Sequence, residues 1–245
     1  MIGKGKSISH GVAALEYDLA KEIDGQAAAT EIARHELYGC TGAEMVQEMK
    51  PYFTDFQNVK NNCLRFEVSP SIEESSSFTD TDWAELGNDF MQRMGLMNHQ
   101  YIIIKHSGTE SKKKQAHLHI LANRISLSGE LYRDNWIGKR ATEAANAIAK
   151  ERNFVQSQEI GKANKEEIKE VMNEVLKKLQ GFDLAKFQEE LGKLGFKVRE
   201  ARASTGKLNG YYVTARSGTE YKASEIGKGY TLAHIEQTQK KLKYN

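Results

Sequence analysis

The sequence predicts an α/β fold, in which a central and mainly antiparallel sheet carries helices on one or both faces and a small α+β region follows at the C-terminus. Apolar residues recur at helical spacing along residues 80–94 and 165–179. Residues 64–68 alternate between apolar and polar, as a strand with one buried face does. Residues 101–106 and 116–124 are two further strand-like stretches joined by a polar loop, which favours an antiparallel hairpin.

The first predicted helix has Ser9 or His10 near its N-cap and ends before Gly25. Its predicted apolar stripe consists of Val12, Leu15, Leu19 and Ile23. Further helices are predicted over residues 141–152 and 184–194 and from residue 232, and further strands over residues 196–201 and 210–215 and near Tyr221. We expect a main domain in residues 1–160, followed in residues 161–245 by a helical connector and a small basic α+β module.

The composition is that of a globular protein that does not enter a membrane. Of its 245 residues, 39% are hydrophobic and 28% are charged, and the mean hydropathy is −0.62. No stretch approaches the roughly 18 apolar residues that a membrane span requires, and the polar residues after Met1 do not resemble a signal peptide. Cys40 and Cys63 lack a metal-binding spacing and suit a reducing compartment. We therefore expect a cytoplasmic location.

The charge is unevenly distributed along the chain. The formal net charge is only +2, but residues 197–245 hold ten Lys or Arg against four Glu. A basic face is the electrostatic footprint of a polyanionic partner such as a nucleic acid. An ordinary solvated surface explains the same distribution, so the charge alone leaves both interpretations open.

Three of the seven histidines are predicted to meet on one face of the hairpin. Alternate side chains of a strand share a face, so His117, His119 and Leu121 project from one side while the apolar residues between them face the core. We expect the histidine face to be open. If His106 pairs beside His117, their Cβ atoms lie about 4.5 to 5.5 Å apart and three imidazoles can reach one cation.

Unrelated histidines with structural roles are the alternative interpretation of this cluster. Their convergence on one face favours a metal site instead. Imidazole ligands suit zinc, iron or manganese and leave coordination positions for water or a phosphate, so the residues alone do not name the metal.

The stretch AHLHILANR, residues 116–124, with a histidine closing the preceding strand, resembles the signature of the HUH endonuclease superfamily and, within it, of plasmid mobilisation relaxases. The resemblance extends from the N-terminus to about residue 155. It implies an HUH relaxase-like fold and a relaxase nuclease domain in residues 1–160. It also implies that His106, His117 and His119 hold Mg²⁺ or Mn²⁺ against a scissile phosphate.

The resemblance also implies the nucleophile, because relaxases carry a tyrosine in an early helix ahead of the histidine motif. SHGVAALEYDLA, residues 9–20, is similar to that helix, and Tyr17 is its only tyrosine. Tyr17 lies about 200° around the helix from both Leu15 and Leu19, so it is off the predicted apolar stripe and can face a cleft. Glu67 is our candidate for a nearby acidic partner, with a solvated surface carboxylate as the alternative.

Several further side chains are candidate DNA contacts. They are Lys112, Lys113 and Lys114 in the hairpin loop, Asn123 and Arg124 after the histidines, and Arg133, Lys139 and Arg140. The first three lie where a phosphate would meet the histidines. The last three are candidates because they lie near Tyr132 and Trp136, and aromatic rings with basic neighbours suit single-stranded DNA. Asn123 and Arg124 are assigned support of the site or DNA contact by the resemblance alone.

The predicted function is that of a bacterial relaxase, which nicks and rejoins single-stranded DNA at an origin of transfer through a tyrosine-5′-phosphate. Accessory mobilisation proteins and a coupling protein are the further partners that the resemblance implies. One alternative is a rolling-circle replication initiator, in which the tyrosine follows the histidines. The other is a DNA-binding module that has lost cleavage. The position of Tyr17 before the histidines favours the relaxase.

Overall fold

The computed structural model describes residues 1–23, 26–107, 115–179 and 181–243. The chain divides into two compact units, Met1–Ser157 and Gln158–Asn245. None of the helices in these described ranges is long and apolar enough to cross a membrane.

The first unit is built on a five-stranded antiparallel sheet. The strands of this unit are β1 (Ile2–Ile8), β2 (Glu22–Ile23), β3 (Gln26–Ala27), β4 (Ala29–His35), β5 (Cys63–Ser69), β6 (His99–His106) and β7 (His117–Ser126). Its helices are α1 (Gly11–Leu19), α2 (Gly42–Met49), α3 (Ile72–Ser75), α4 (Asp80–Met94) and α5 (Ile137–Glu151), with a 3-10 helix at Lys50–Phe56. The sheet has the order β1-β5-β7-β6-β4, and β2 pairs with β3 separately. The predicted antiparallel α/β architecture is therefore confirmed.

Helices cover both faces of the sheet. On one face, α4 and α5 bury a core that includes Phe66, Phe90 and Ile120. On the other face, α1 and α2 bury a second core that includes Leu15 and Leu121. The expectation that the histidine face is open is wrong over much of its length, because Leu121, on the same face as the histidines, is only 1% exposed.

Helix α1 is shorter and rotated relative to its prediction. It ends at Leu19, and Ile23 lies in β2 rather than in the helix. Val12 is 39% exposed, whereas the buried side of α1 consists of Gly11, Ala14, Leu15 and Asp18. These residues have the i, i+3, i+4, i+7 spacing of one helix face. Small residues let this face lie close to the sheet, since a Cβ on Gly11 would meet Cys63 Sγ at 2.6 Å.

Several other elements agree with the sequence patterns. The structure confirms the strand at residues 64–68, the hairpin of β6 and β7, and the end of α4 at Gly95, which has the left-handed φ of 73° that favours glycine. Asp82 takes part in the N-terminal capping box of α4 with Thr79, which is the cap residue. Asp80 is the first residue of α4, and its carboxylate pairs with Lys105.

The second unit has its own core around a three-stranded antiparallel sheet of order β10-β9-β8. Its elements are α6 (Ser157–Lys178), α7 (Leu184–Lys193), β8 (Lys197–Arg202), β9 (Leu208–Thr214), β10 (Glu220–Lys222), α8 (Ala223–Ile226), a 3-10 helix at Lys228–Tyr230 and α9 (Leu232–Lys243). Phe187, Phe196 and Tyr211 are buried at its centre. The burial of Tyr211 raises the pKa of its hydroxyl above the ordinary tyrosine range.

The contact between β1 and α5 depends on glycine in the strand. A Cβ added at Gly3 would lie 2.5 Å from the Ala141 carbonyl oxygen and 2.6 Å from Ala145 Cβ. Thr142 donates a hydrogen bond from Oγ1 to the Gly3 carbonyl oxygen at 3.0 Å, which fixes the same close approach. Strand β1 and helix α5 cannot separate without losing this bond and the surrounding core.

Gly3→Ala should lower the free energy of unfolding of the first unit by about 1 to 3 kcal/mol, because the added methyl overpacks the contact with α5. Chemical denaturation followed by the fluorescence of the buried Trp83 measures this change. Gly138→Ala is the matched control, because its Cβ would meet the Gly5 carbonyl oxygen at an ordinary 3.4 Å. Equal stability of the two variants would contradict the packing argument.

Candidate active site

The hairpin of β6 and β7 brings three histidines together. His106 lies directly opposite His117 in the strand register, as predicted, and His119 follows two residues later on the same face. One ring nitrogen from each histidine lies within 4.8 Å of the others. His106 and His117 are buried, whereas the side chain of His119 is 13% exposed.

The nitrogen atoms of this cluster are oriented as a cation would require. His117 Nδ1 donates to the Gln115 carbonyl oxygen at 3.2 Å, which leaves Nε2 as the unprotonated nitrogen of a neutral ring. That Nε2 lies 3.1 Å from His119 Nε2. Metal–nitrogen bonds of about 2.0 to 2.1 Å at angles between octahedral and tetrahedral place two ligand nitrogens roughly 2.8 to 3.4 Å apart. The pair of Nε2 atoms therefore fits a shared metal ion.

His106 is held from its other side by helix α1. Its Nε2 donates to the Asp18 carbonyl oxygen at 2.7 Å, so its Nδ1 is the nitrogen left for a ligand role. Burial lowers the pKa of His106 to about 4, although the bond to Asp18 acts in the opposite direction. The ring is neutral at pH 7, which is the form that binds metals.

The sequence patterns did not identify Asp18, whose side chain is central to the cluster. Its carboxylate is 2% exposed, accepts a hydrogen bond from Arg65 Nη2 and lies 3.8 Å from His119 Nδ1. Arg65 Nη2 is itself 3.4 Å from the same His119 nitrogen. Burial raises the pKa of Asp18 to about 6, and the neighbouring Arg65 partly opposes this increase. Asp18 therefore contacts two of the three histidines, through its backbone and its side chain.

Tyr17 lies on the flank of α1, about 100° around the helix from Asp18 on the buried side. It is 59% exposed, as expected for a residue set off the core side of the helix. Lys21 Nζ is 5.5 Å from the centre of its ring, close enough for a cation–π contact. Since Asp18 follows Tyr17 directly, the helix that carries the tyrosine is also the helix that holds the histidines.

Glu67 lies on β5, directly opposite His119 of β7 in the register. It accepts a hydrogen bond from Lys4 Nζ at 3.0 Å, at the exposed edge formed by β1. Its negative charge raises the pKa of Asp18, so the two carboxylates act on one another. The role of Glu67 as the acidic partner of the tyrosine stays a prediction.

The structure describes only some of the candidate DNA contacts in the middle of the chain. Lys112, Lys113 and Lys114 lie outside the described residues. Asn123 is 0% exposed, and its amide donates to Gln100 Oε1 at 2.9 Å while its Oδ1 accepts from the Ile125 amide. This burial argues against the predicted DNA contact of Asn123, whose amide instead links β7 to Gln100 of β6 and to the Met49 carbonyl oxygen at the end of α2.

The guanidinium of Arg124 forms hydrogen bonds within the protein, mainly with the loop that follows β7. Its guanidinium donates to the Tyr132 carbonyl oxygen, the Asn61 carbonyl oxygen and Asp134 Oδ1 at 3.1, 2.9 and 2.7 Å. Its side chain is only 12% exposed. The structure therefore supports a positioning role for Arg124 rather than direct DNA contact.

The three basic residues near Trp136 differ in exposure. Arg133 is exposed, and Lys139 is 71% exposed with Glu143 at 3.7 Å. Arg140 is half-buried, stacks on the Tyr132 ring at 4.7 Å and donates to the Arg133 carbonyl oxygen. Arg133 and Lys139 are therefore accessible to a polyanion, whereas Arg140 mainly supports the loop.

Comparison with known proteins identifies the family. A family model, described as the nuclease domain of MobA/VirD2-like relaxases, matches residues 17–154, which is more than half of the chain. No curated protein matches the chain.

Among solved structures, the conjugative relaxase TrwC in complex with oriT DNA is similar in a metal-bound and a copper-bound form. Both are 12% identical to this chain. The metal-bound form has a TM-score of 0.36, with 84% of this chain and 74% of that chain covered. The copper-bound form has a TM-score of 0.34, with 84% and 75% covered. By the match to the family model, the chain belongs to the MobA/VirD2-like relaxases and carries their nuclease domain.

Proposed function

We propose that this protein nicks and rejoins single-stranded DNA at an origin of transfer, through a covalent tyrosine-5′-phosphate, to start conjugative mobilisation. Membership of the relaxase family supports a DNA endonuclease and transesterase. The observation that carries the proposal is the contact of the tyrosine-bearing helix with the histidine cluster, made by Asp18. We assign the activity to residues 1–160 and a connecting and basic accessory role to residues 161–245.

In this proposal His106, His117 and His119 hold one divalent cation. Their convergent nitrogens and the neutral ring of His106 support that role. Mg²⁺ or Mn²⁺ is the ion that the relaxase resemblance favours, and when bound it would offset the negative charge that develops on the scissile phosphate. Asp18 orients His106 and His119 for this task.

The proposed reaction is a reversible transesterification. The Tyr17 hydroxyl oxygen forms a bond to phosphorus, the bond from phosphorus to the 3′-oxygen breaks, and that oxygen leaves with a proton as a free 3′-hydroxyl. The tyrosine hydroxyl must lose its own proton, and Glu67 is the candidate acceptor. The energy of the phosphodiester is kept in the phosphotyrosine, so the 3′-hydroxyl of a strand can later reverse the reaction.

The proposed partners follow from the same reaction. Single-stranded DNA of an origin of transfer is the substrate, and accessory mobilisation proteins and a coupling protein complete the transfer machinery in the bacterial cytoplasm. The main alternative, a DNA-binding module without cleavage, predicts binding but no covalent adduct. A nicking assay on diverse labelled oligonucleotides therefore tests the proposal.

Tyr17→Phe should abolish the covalent protein–DNA adduct, because phenylalanine has no hydroxyl to attack phosphorus. The measurement is gel separation of denatured protein after incubation with labelled single-stranded oligonucleotides and Mn²⁺. Tyr38→Phe is the matched control, because Tyr38 is also exposed, at 77%, and should form the adduct normally. An adduct that persists in Tyr17→Phe would exclude Tyr17 as the nucleophile.

Loss of a residue that only supports a metal ligand costs roughly 10- to 100-fold in metal affinity. His119→Ala removes a proposed ligand itself, so it should weaken Mn²⁺ binding by more than this and should remove the adduct. Isothermal titration with Mn²⁺ measures the affinity independently of DNA. His234→Ala, at an exposed histidine of the second unit, is the control and should bind like the parent protein. Unchanged Mn²⁺ affinity in His119→Ala would contradict the metal site.

Asp18→Ala should lower Mn²⁺ affinity by about 10- to 100-fold, because His119 loses its acidic neighbour and Arg65 beside it loses its hydrogen-bonded carboxylate. Asp18→Asn keeps the shape and an acceptor oxygen and should show a smaller loss. Circular dichroism checks that α1 remains folded in both variants. Parent-like Mn²⁺ binding by folded Asp18→Ala would show that Asp18 does not position the histidines.

A further inference from the structure

We propose that Trp136 is a stacking platform for an unpaired base of the bound DNA, with Arg133 and Lys139 contacting the phosphates on either side of that base. This inference rests on the proposed function, because it names part of the surface that would hold single-stranded DNA. It assigns a binding role to an aromatic side chain that takes no part in the histidine cluster.

The exposure of Trp136 is the first reason. Its side chain is 80% exposed, whereas Trp83 is 3% exposed within the core of the first unit. An indole ring has a large apolar face, and burial of that face against another ring is favourable. Bases stack on exposed aromatic side chains without regard to sequence, since every base has such a face.

The backbone of Trp136 is the second reason. Its φ of 56° and ψ of 26° lie in the left-handed region, which bulky L residues rarely adopt. Trp136 occupies the N-cap position of α5, where it makes no side-chain capping bond, so the indole does not stabilise the helix end that it occupies. Backbone strain of this kind persists where surrounding contacts impose it and is common at binding sites.

The loop before Trp136 is held in place by partly buried hydrogen bonds. Asp134 accepts from Arg124 Nη2 at 2.7 Å and from Ser7 Oγ at 2.6 Å, which ties the loop to β7 and β1. The Ile137 amide donates to the Asp134 carbonyl oxygen at 3.1 Å. These bonds fix the backbone on both sides of Trp136, so little backbone ordering would oppose the binding of a base to its ring.

The charges around Trp136 select a polyanion as the occupant. Arg133 and Lys139 are exposed on either side of it in the sequence. Asp134 is neutralised by Arg124, and Glu143 is the acidic neighbour of Lys139. An exposed ring among cations is the pattern of single-strand recognition rather than of an apolar protein contact.

The experiment uses the fact that the chain has two tryptophans, of which one is buried. Full-length Tyr17→Phe protein, which cannot form the adduct in our proposal, is titrated without metal with a pool of random-sequence single-stranded oligonucleotides. Bound DNA should quench tryptophan fluorescence and should protect the protein from acrylamide quenching. Both signals should disappear in the double variant that carries Trp136→Ala together with Tyr17→Phe.

Binding of fluorescein-labelled oligonucleotides provides the matching affinities. Trp136→Ala should bind about 5- to 100-fold more weakly, the range expected for one lost stacking contact, and Trp136→Phe should recover part of the loss. Arg133→Ala and Lys139→Ala should each reduce the slope of log affinity against log salt by about 0.7, as for one phosphate contact on a single strand. Tyr38→Ala, at another exposed ring, is the control and should bind like the parent.

The failure of this inference can be distinguished from failure of the proposed function. If the protein with Tyr17 intact forms the adduct but Trp136→Ala binds DNA like the parent, the stacking platform is wrong and the nuclease stands. That result would instead favour a protein contact at Trp136. If no adduct forms but binding still depends on Trp136, the nuclease is wrong and the platform stands. Absence of any DNA binding would overturn both.

Discussion

The candidate site depends on one buried contact, that of Asp18 with the histidine strands. The carboxylate lies beside Arg65 and His119, and the carbonyl oxygen of the same residue accepts from His106. A buried carboxylate is costly unless it is paired, so the position of α1 over the sheet is coupled to the arrangement of the histidines. Tyr17 precedes Asp18 in the chain, so the contact of Asp18 with the histidines also fixes the position of the Tyr17 backbone.

The sheet provides the rigid base for this contact because both of its faces are covered. Helices α4 and α5 pack on one face, with β1 drawn close to α5 at Gly3, and α1 and α2 pack on the other. Close-packed interiors resist displacement, so the strands that carry the histidines are fixed from both sides. The exposed groups, Tyr17 and Trp136, lie at the margins of this core.

Strong local patterns made much of the fold and the histidine cluster predictable. Strand alternation and the polar loop predicted the hairpin and the shared face of His117 and His119, and the observed register meets the condition that His106 pairs with His117. Strand β1 was missed because glycines replace the apolar residues that a strand pattern normally shows, and α2 was missed although Thr41 and Glu44 form a capping box. Asp18 was missed because hydrophobicity placed Val12 on the buried side, whereas close packing selected the face with Gly11 and Ala14.

Helix α1 has an exposed and a buried side, and this arrangement restricts where residues can be inserted into the helix or deleted from it. Each residue of a helix is rotated by about 100° from the one before it, so a single insertion between Leu15 and Tyr17 would turn the tyrosine and Asp18 away from their present directions. Substitution of the exposed Val12 leaves that rotation unchanged. A substitution at Val12 therefore leaves Tyr17 and Asp18 in place, whereas an insertion or deletion in the second half of α1 would displace both.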